Sequence, residues 1–425
     1  MTFGIIVTIL SIVLMIASII KGAKIKFWIF PLVASLLLII TNTINFKFVF
    51  DELTKASSIN PIEILILFIS MTFISVCLDE LGFFKYLATL ALTKAKHNQF
   101  ALFFILYALS SILTVFTSND IIILTFTPFI IFFCKNAKIN PIPYLITEFV
   151  SANTWSMLFI IGNPTNIYLA QKANIDFFEY FKVMVLPTTV GALTSLVILV
   201  CMFYYQLKYK INEVNIEIYK IERKQEVIIC LVILLSCIIL LMVSNFIQIK
   251  MFIITLICAI LTLITLVISK VVRKTEGSII RCLKGCPYNL IPFVLSMFVL
   301  TLFLKEYKIT EYFYNVLHSS NPSNNIINYG IASFLSCNLI NNIPMSVLFS
   351  DIISYNTSSY NLFATIISSN IGAFLTPIGA LAGIMWLNIL KKNNIIFSFK
   401  DFMKYGIMIS IPTLLISLMT LNMIL

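Results

Sequence analysis

Four polar interruptions sit inside long apolar runs of this 425-residue chain. Thr117-Ser118-Asn119-Asp120 separates FALFFILYALSSILTVF from IIILTFTPFIIFFC, and Asn341-Asn342-Ile343-Pro344 separates IASFLSCNLI from MSVLF. Gly162-Asn163-Pro164-Thr165-Asn166 breaks a third run. Ser368-Ser369-Asn370-Ile371-Gly372, followed by Thr376-Pro377-Ile378-Gly379, breaks a fourth. Amide, hydroxyl and freed backbone oxygens coordinate cations, while half-helices that begin at a break point their positive ends at an anion or an oxygen-rich solute. The candidate solute- and ion-binding residues are therefore Ser118, Asn119, Asp120, Asn163, Thr165, Asn166, Asn341, Asn342, Asn370 and Thr376. A break could also be a mere cap or kink, but four at matching positions point to a shared cavity.

Carboxylates sharpen the pattern. Asp120 lies in a break and Glu148 inside the third run, with Glu63 at the edge of another run. A mid-membrane Asp costs ~3 kcal/mol, so it is retained for a reason. Asp120 suits coordination or relay of a cation. Glu148 is either a second relay group or a shallower residue paired with a Lys. No catalytic set accompanies them: His97 and His318 are the only histidines, both in flanking helices, and no Ser-Lys pair lies in the apolar runs. Cys282-x3-Cys286, in a basic loop, has no second pair and no neighbouring His, so neither a metal centre nor an enzyme is expected. Cys337, close to the Asn341 break, reads as a small buried hydrophobe.

The elements that position these residues follow from composition. Sixty per cent of the chain is hydrophobic and 11% charged, with a mean hydropathy of +1.01; soluble domains are about half apolar and a quarter charged. An all-α polytopic membrane protein is expected, in the cell membrane and in contact with its lipid bilayer. Apolar runs at 2–20, 25–44, 62–80, 177–205, 227–245, 250–269, 288–304 and 402–424 fit spans of roughly 20 residues. Residues 1–20 lack the basic start and cleavage site of a signal peptide.

The net charge of +11 is topology rather than a nucleic-acid patch. With the N-terminus outside, every Lys and Arg except Lys47, Lys55, Lys172, Lys182, Lys250, Lys305 and Lys308 falls on the cytoplasmic side. The order of elements then repeats: three spans, a short amphipathic helix (82–95 and 309–318), interrupted arms (100–135 and 326–351), a broken span (141–175 and 360–390) and a last span. With the arms read as re-entrant hairpins, each half crosses an odd number of times. Residues 1–205 and 227–425 are thus expected to be inverted-topology repeats joined by a cytoplasmic linker at 206–226. That plan belongs to secondary transporters working by alternating access. A channel would more typically build its filter from rings of identical sites.

The breaks, in this order, resemble the ion transporter superfamily and within it the arsenite permease branch, on the stretches FTSNDIIILTFTPFI, SCNLINNIPMSVLF and SNIGAFLTPIGALAGIMW and the flanking CPYNLIPFVLSMFV and KITEYFYNVL. The resemblance, which covers nearly the whole chain, implies a scaffold subdomain, a transport subdomain holding both hairpins, and a homodimer. It implies proton-driven efflux of arsenite and antimonite, in some members with a partner ATPase, while other branches carry citrate, dicarboxylates or sulfate with sodium, or exchange sodium for protons. Arsenite permeases typically carry Asp where Asn153 and Asn370 stand here, and GNPTN is closer to the sodium-coupled anion branch. The expected substrate is a small inorganic or organic anion or oxyacid. No cofactor is expected, and the coupling ion is H+ or Na+: Asn153 and Asn370 cannot titrate, which favours sodium, whereas Asp120 can still carry one proton.

Overall fold

A computed structural model describes residues 2–21, 26–54, 60–94, 98–210, 219–244, 246–273, 278–355 and 359–424. Lys24, Lys55, Lys96, His97, Lys274 and positions 211–218 of the expected linker lie outside these residues.

The described residues are helical throughout. The first half comprises α1 (Thr2–Lys21), α2 (Ile29–Ile40), α3 (Phe46–Thr54), α4 (Pro61–Glu80), α5 (Phe83–Lys94), α6 (Gln99–Phe116), α7 (Asn119–Ala137), α8 (Ile142–Trp155), α9 (Pro164–Lys172) and α10 (Phe177–Leu207). The second comprises α11 (Lys224–Met242), α12 (Met251–Arg273), α13 (Ser278–Gly285), α14 (Leu290–Glu306), α15 (Ile309–Leu317), α16 (Pro322–Ile340), α17 (Asn342–Ile353), α18 (Ser359–Ile371), α19 (Leu381–Lys392) and α20 (Phe399–Ile424). A short 3-10 turn follows α8 (Ile160–Gly162) and another follows α18 (Gly372–Phe374). Element for element the halves correspond in order, including α3 and α13, two short helices within the segments expected as loops at 45–61 and 270–287. The span expected at 25–44 is a shorter helix, because Lys26 precedes it and the chain turns at Thr41. Cys282 and Cys286 are not in a loop but on and just after α13, buried against the rest of the protein.

Eight helices among the described residues are long and apolar enough to cross a membrane. On α11, Ile228, Val232, Leu235 and Ile239 are exposed at helical spacing, while Cys230, Leu234, Cys237 and Leu241 on the other side are buried. In a soluble protein that outer stripe would be a liability; in a bilayer it faces lipid tails at no cost. The protein is a multi-pass membrane protein.

Packing follows the same exchange of halves. Helix α2 packs on α14 as α12 packs on α4, α6 on α8 as α16 on α18, and α9 on α17 as α19 on α7, while α10 and α20 pack on each other. Helices α1, α2, α4 and α11–α14 form one group; the hairpins α6–α7 and α16–α17, the broken helices α8–α9 and α18–α19, and α10 and α20 form another. The two groups meet where α4 and α14 touch α7, α9 and α17.

Candidate functional site

Each half-helix at a break starts for a local reason. Asn163 is extended (φ −151°, ψ 139°), its side chain accepts from the Thr165 N–H at 3.2 Å, and Pro164 occupies the first helical position, where its missing N–H costs nothing. Ser118 is likewise extended and precedes α7. Asn341 enters α17 with φ +75° and ψ 154°, a conformation that side chains other than Gly rarely adopt and that costs ~1–3 kcal/mol. Its amide donates to the Ile378 carbonyl at 2.8 Å and the Asn342 N–H donates to the Gly379 carbonyl at 3.0 Å, so the second broken helix holds the strained tip.

The amides form a continuous network between the two broken helices. Asn370 Oδ1 accepts from Asn163 Nδ2 and Ser156 Oγ, both at 2.8 Å. Asn370 Nδ2 donates to Asn166 Oδ1 at 2.7 Å and to the Ile366 carbonyl at 2.8 Å. Thr165 and Ser369 share a hydroxyl contact of 3.1 Å, and Asn166 donates to the Ser156 carbonyl at 2.8 Å. Asn119, at the tip of the first hairpin, donates to Asn153 Oδ1 at 2.9 Å. All these side chains are buried, so every bond saves a desolvation penalty of about 1–3 kcal/mol that an unpaired group would incur.

Thr376 belongs to a second group, around Asn338. Asn338 Oδ1 accepts from the Thr376 N–H at 3.0 Å and from its hydroxyl at 2.7 Å. Cys337 Sγ packs against the Phe334 carbonyl at 3.2 Å, and a Cβ at Gly372 would overlap it. The ten candidate residues therefore do not line one open cavity: Asn163, Thr165, Asn166 and Asn370 form one bonded group, while Asn119, Asn341 and Thr376 bond other residues. Two stand apart. The Ser118 hydroxyl is buried without a partner, and the half-buried Asp120 carboxylate has neither a hydrogen bond nor an ion pair among the described residues.

Glu148 is fully buried, and its two oxygens accept from the Thr127 hydroxyl at 3.1 and 3.0 Å. The expected alternative of a Lys partner is not what the structure shows: α8 enters the protein interior at this point, and α7 presents a hydroxyl there. A further carboxylate escaped the sequence reading. Asp351, on the last turn of α17, is buried and bonded to Lys172 Nζ at 2.7 Å, with Lys305 Nζ at 3.9 Å. Lys172, expected outside the membrane, is itself buried at the end of α9. Opposite charges on two short helices 179 positions apart carry no local signal, so only the packing of α9 on α17 discloses the pair.

A small cavity of about 20 Å³, room for little more than a water molecule, lies where the two helix groups meet. Thr165 and Tyr168 of α9 and Ile343 and Ser346 of α17 form one wall; Phe68 of α4 and Val294 of α14 face them. The Tyr168 hydroxyl is buried there with no hydrogen-bond partner. No group of three or more His, Cys, Asp or Glu side chains that could hold a metal occurs among the described residues.

An all-helical multi-pass protein whose broken helices start at buried polar breaks, beside a cavity between two helix groups, has the architecture of a solute transporter. The profile of the citrate transporter family matches residues 4–361, and the chain belongs to that family. It is 26% identical over 369 residues to an arsenical pump membrane protein of Escherichia coli, covering 83% of this chain and 84% of that one. It is 25% identical over 373 residues to a putative arsenical pump membrane protein of Bacillus subtilis, covering 81% and 83%. Among solved structures it resembles the YdaH transporter of Alcanivorax borkumensis, with a TM-score of 0.57 at 11% identity over 84% of each chain, a likeness of fold. The protein is a secondary transporter of the arsenite permease and citrate transporter type.

Proposed function

We propose that the chain moves a small oxyacid of the arsenite or antimonite kind by alternating access, coupled to an ion through Asp120. The observation that carries this reading is the contrast at the breaks. Most of the amides there are bonded within the protein, whereas the Asp120 carboxylate, at the start of a half-helix, has no partner among the described residues. A bonded amide network gives a rigid body; an unpartnered carboxylate gives a site for a cation or a proton. The residues bordering the cavity include no Lys or Arg, and Lys172 is occupied by Asp351. That lining suits a small hydroxylated solute better than a polycarboxylate, and the arsenical pump relatives point the same way.

The matching order of helices and their exchanged contacts support residues 1–205 and 227–425 as inverted repeats, with both termini outside and the 206–226 linker cytoplasmic. The second reading, sodium-coupled anion transport, is favoured by Asn153 and Asn370, neutral groups rich in oxygen. Purified protein in liposomes, with sodium and proton gradients imposed separately and arsenite, antimonite or citrate as solute, discriminates. Arsenite flux driven by pH in sodium-free buffer and lost in Asp120→Asn is the expected result. Flux that needs sodium, or citrate as the preferred solute, would replace this reading by the second.

A further inference from the structure

The buried ion pair at the ends of α9 and α17 has no part in the scheme above, and its surroundings are asymmetric. Lys172 and Asp351 lie on two short half-helices that pack on each other, one from each half of the chain. Lys305 comes from α14, in the other helix group, and reaches the same Oδ1 from 3.9 Å while remaining 41% exposed. Asp351 is therefore shared: a short bond to a lysine within its own group, a long one to a lysine across the boundary between the groups. At the corresponding place in the other half, where α7 packs on α19, no ion pair occurs among the described residues, and the contact across the boundary there is Asp79 of α4 against Thr125 of α7. Lys135 Nζ donates to the Asn393 carbonyl at 2.6 Å, and both residues belong to the same helix group.

We propose that Asp351 is the positioning residue of a latch, holding the α9–α17 body against α14 so that the cavity is closed at the end where Lys305 sits. The proposal rests on alternating access as the mode of transport. If the two helix groups slide past each other, the Lys172–Asp351 bond travels intact with α9 and α17. The contact with Lys305 must break. A buried pair that stays together protects Asp351 from the cost of lone burial, while the half-exposed third charge can be released cheaply, since such contacts contribute ~0.2–1 kcal/mol.

The test is thiol labelling in intact cells and vesicles. Ser346→Cys, in an otherwise Cys-free protein, reports opening of the cavity to a membrane-impermeant maleimide. Lys305→Gln is expected to raise its labelling rate about threefold from the Lys305 side without loss of folded protein. Asp351→Asn leaves Lys172 buried and uncompensated and so endangers folding. The double variant Lys172→Gln/Asp351→Asn removes both charges and is expected to fold, to label faster, and to show altered solute exchange rates. Labelling at the parental rate in both Lys305→Gln and the double variant would overturn the latch, whether or not the protein transports. Failure of counterflow in the parental protein would instead strike at alternating access itself.

Discussion

Asn370 shows how much of the site depends on a single atom's chemistry. Its amide accepts from two side chains and donates to Asn166 and the Ile366 carbonyl. A carboxylate in its place would accept from the first two but face two acceptors with no proton to give. Asn370→Asp is therefore expected to lower the unfolding midpoint in detergent and to recover at low pH, where the protonated acid can donate again. Thr127 acts on Glu148 in the same manner. Thr127→Val removes the only hydroxyl bonded to a fully buried carboxylate and should cost ~1–3 kcal/mol, seen as a shifted thermal midpoint; Glu148→Gln in the same background should restore part of it. Asp120 makes no such bonds, so Asp120→Asn should abolish transport while expression and thermal midpoint stay near those of the parent. Normal transport in that variant would reduce Asp120 to a residue of the first helical turn. Residue types announced this chemistry in the sequence, because amides and a carboxylate inside apolar runs have no cheap explanation. Their partners did not show: Ser156, Asn338 and Ser369 became part of the network only when α8, α16 and α18 packed.

At the scale of elements, the two broken helices are held open by backbone contacts that only glycine permits. A Cβ at Gly379 would overlap the Gly372 carbonyl oxygen and crowd Asn338 Oδ1, and the Gly379 carbonyl is the acceptor for the Asn342 N–H. Gly379→Ala should therefore loosen the second hairpin, destabilise the protein by about 1–3 kcal/mol and slow transport. Gly330→Ala meets only the end of the flexible Leu418 side chain, so it serves as the tolerated control in the same thermal assay. The helices were legible because their breaks carry Gly, Pro and Asn between long apolar runs, and the expected hairpin and broken-span boundaries fall within a few residues of those seen. Helices α3 and α13 were not, since both are short, much more polar than the neighbouring spans, and fall in the expected loops 45–61 and 270–287. The Lys172–Asp351 pair was hidden for a related reason: it depends on which half-helices become neighbours, and neither charge stands in a local pattern.

For the whole molecule, the distribution of basic residues predicts 206–226 and 270–287 in the cytoplasm and 45–61 and 305–325 outside. A single Cys at position 215 should react with an impermeant maleimide only in inverted vesicles, and labelling in intact cells would reverse the orientation and undo the odd crossing count of each half. Composition was enough to set the class of molecule, because no soluble core accommodates so much apolar surface. The solute was not legible, since the breaks supply oxygens that suit several chemistries. Alternating access is tested most directly by counterflow: purified protein in liposomes loaded with unlabelled arsenite, diluted into a trace of radiolabelled arsenite. A carrier cycling between two accessible states predicts transient accumulation of label above its equilibrium level, faster with internal solute than without. Label that only equilibrates, at a rate indifferent to internal solute, would contradict a carrier and make the cavity a pore.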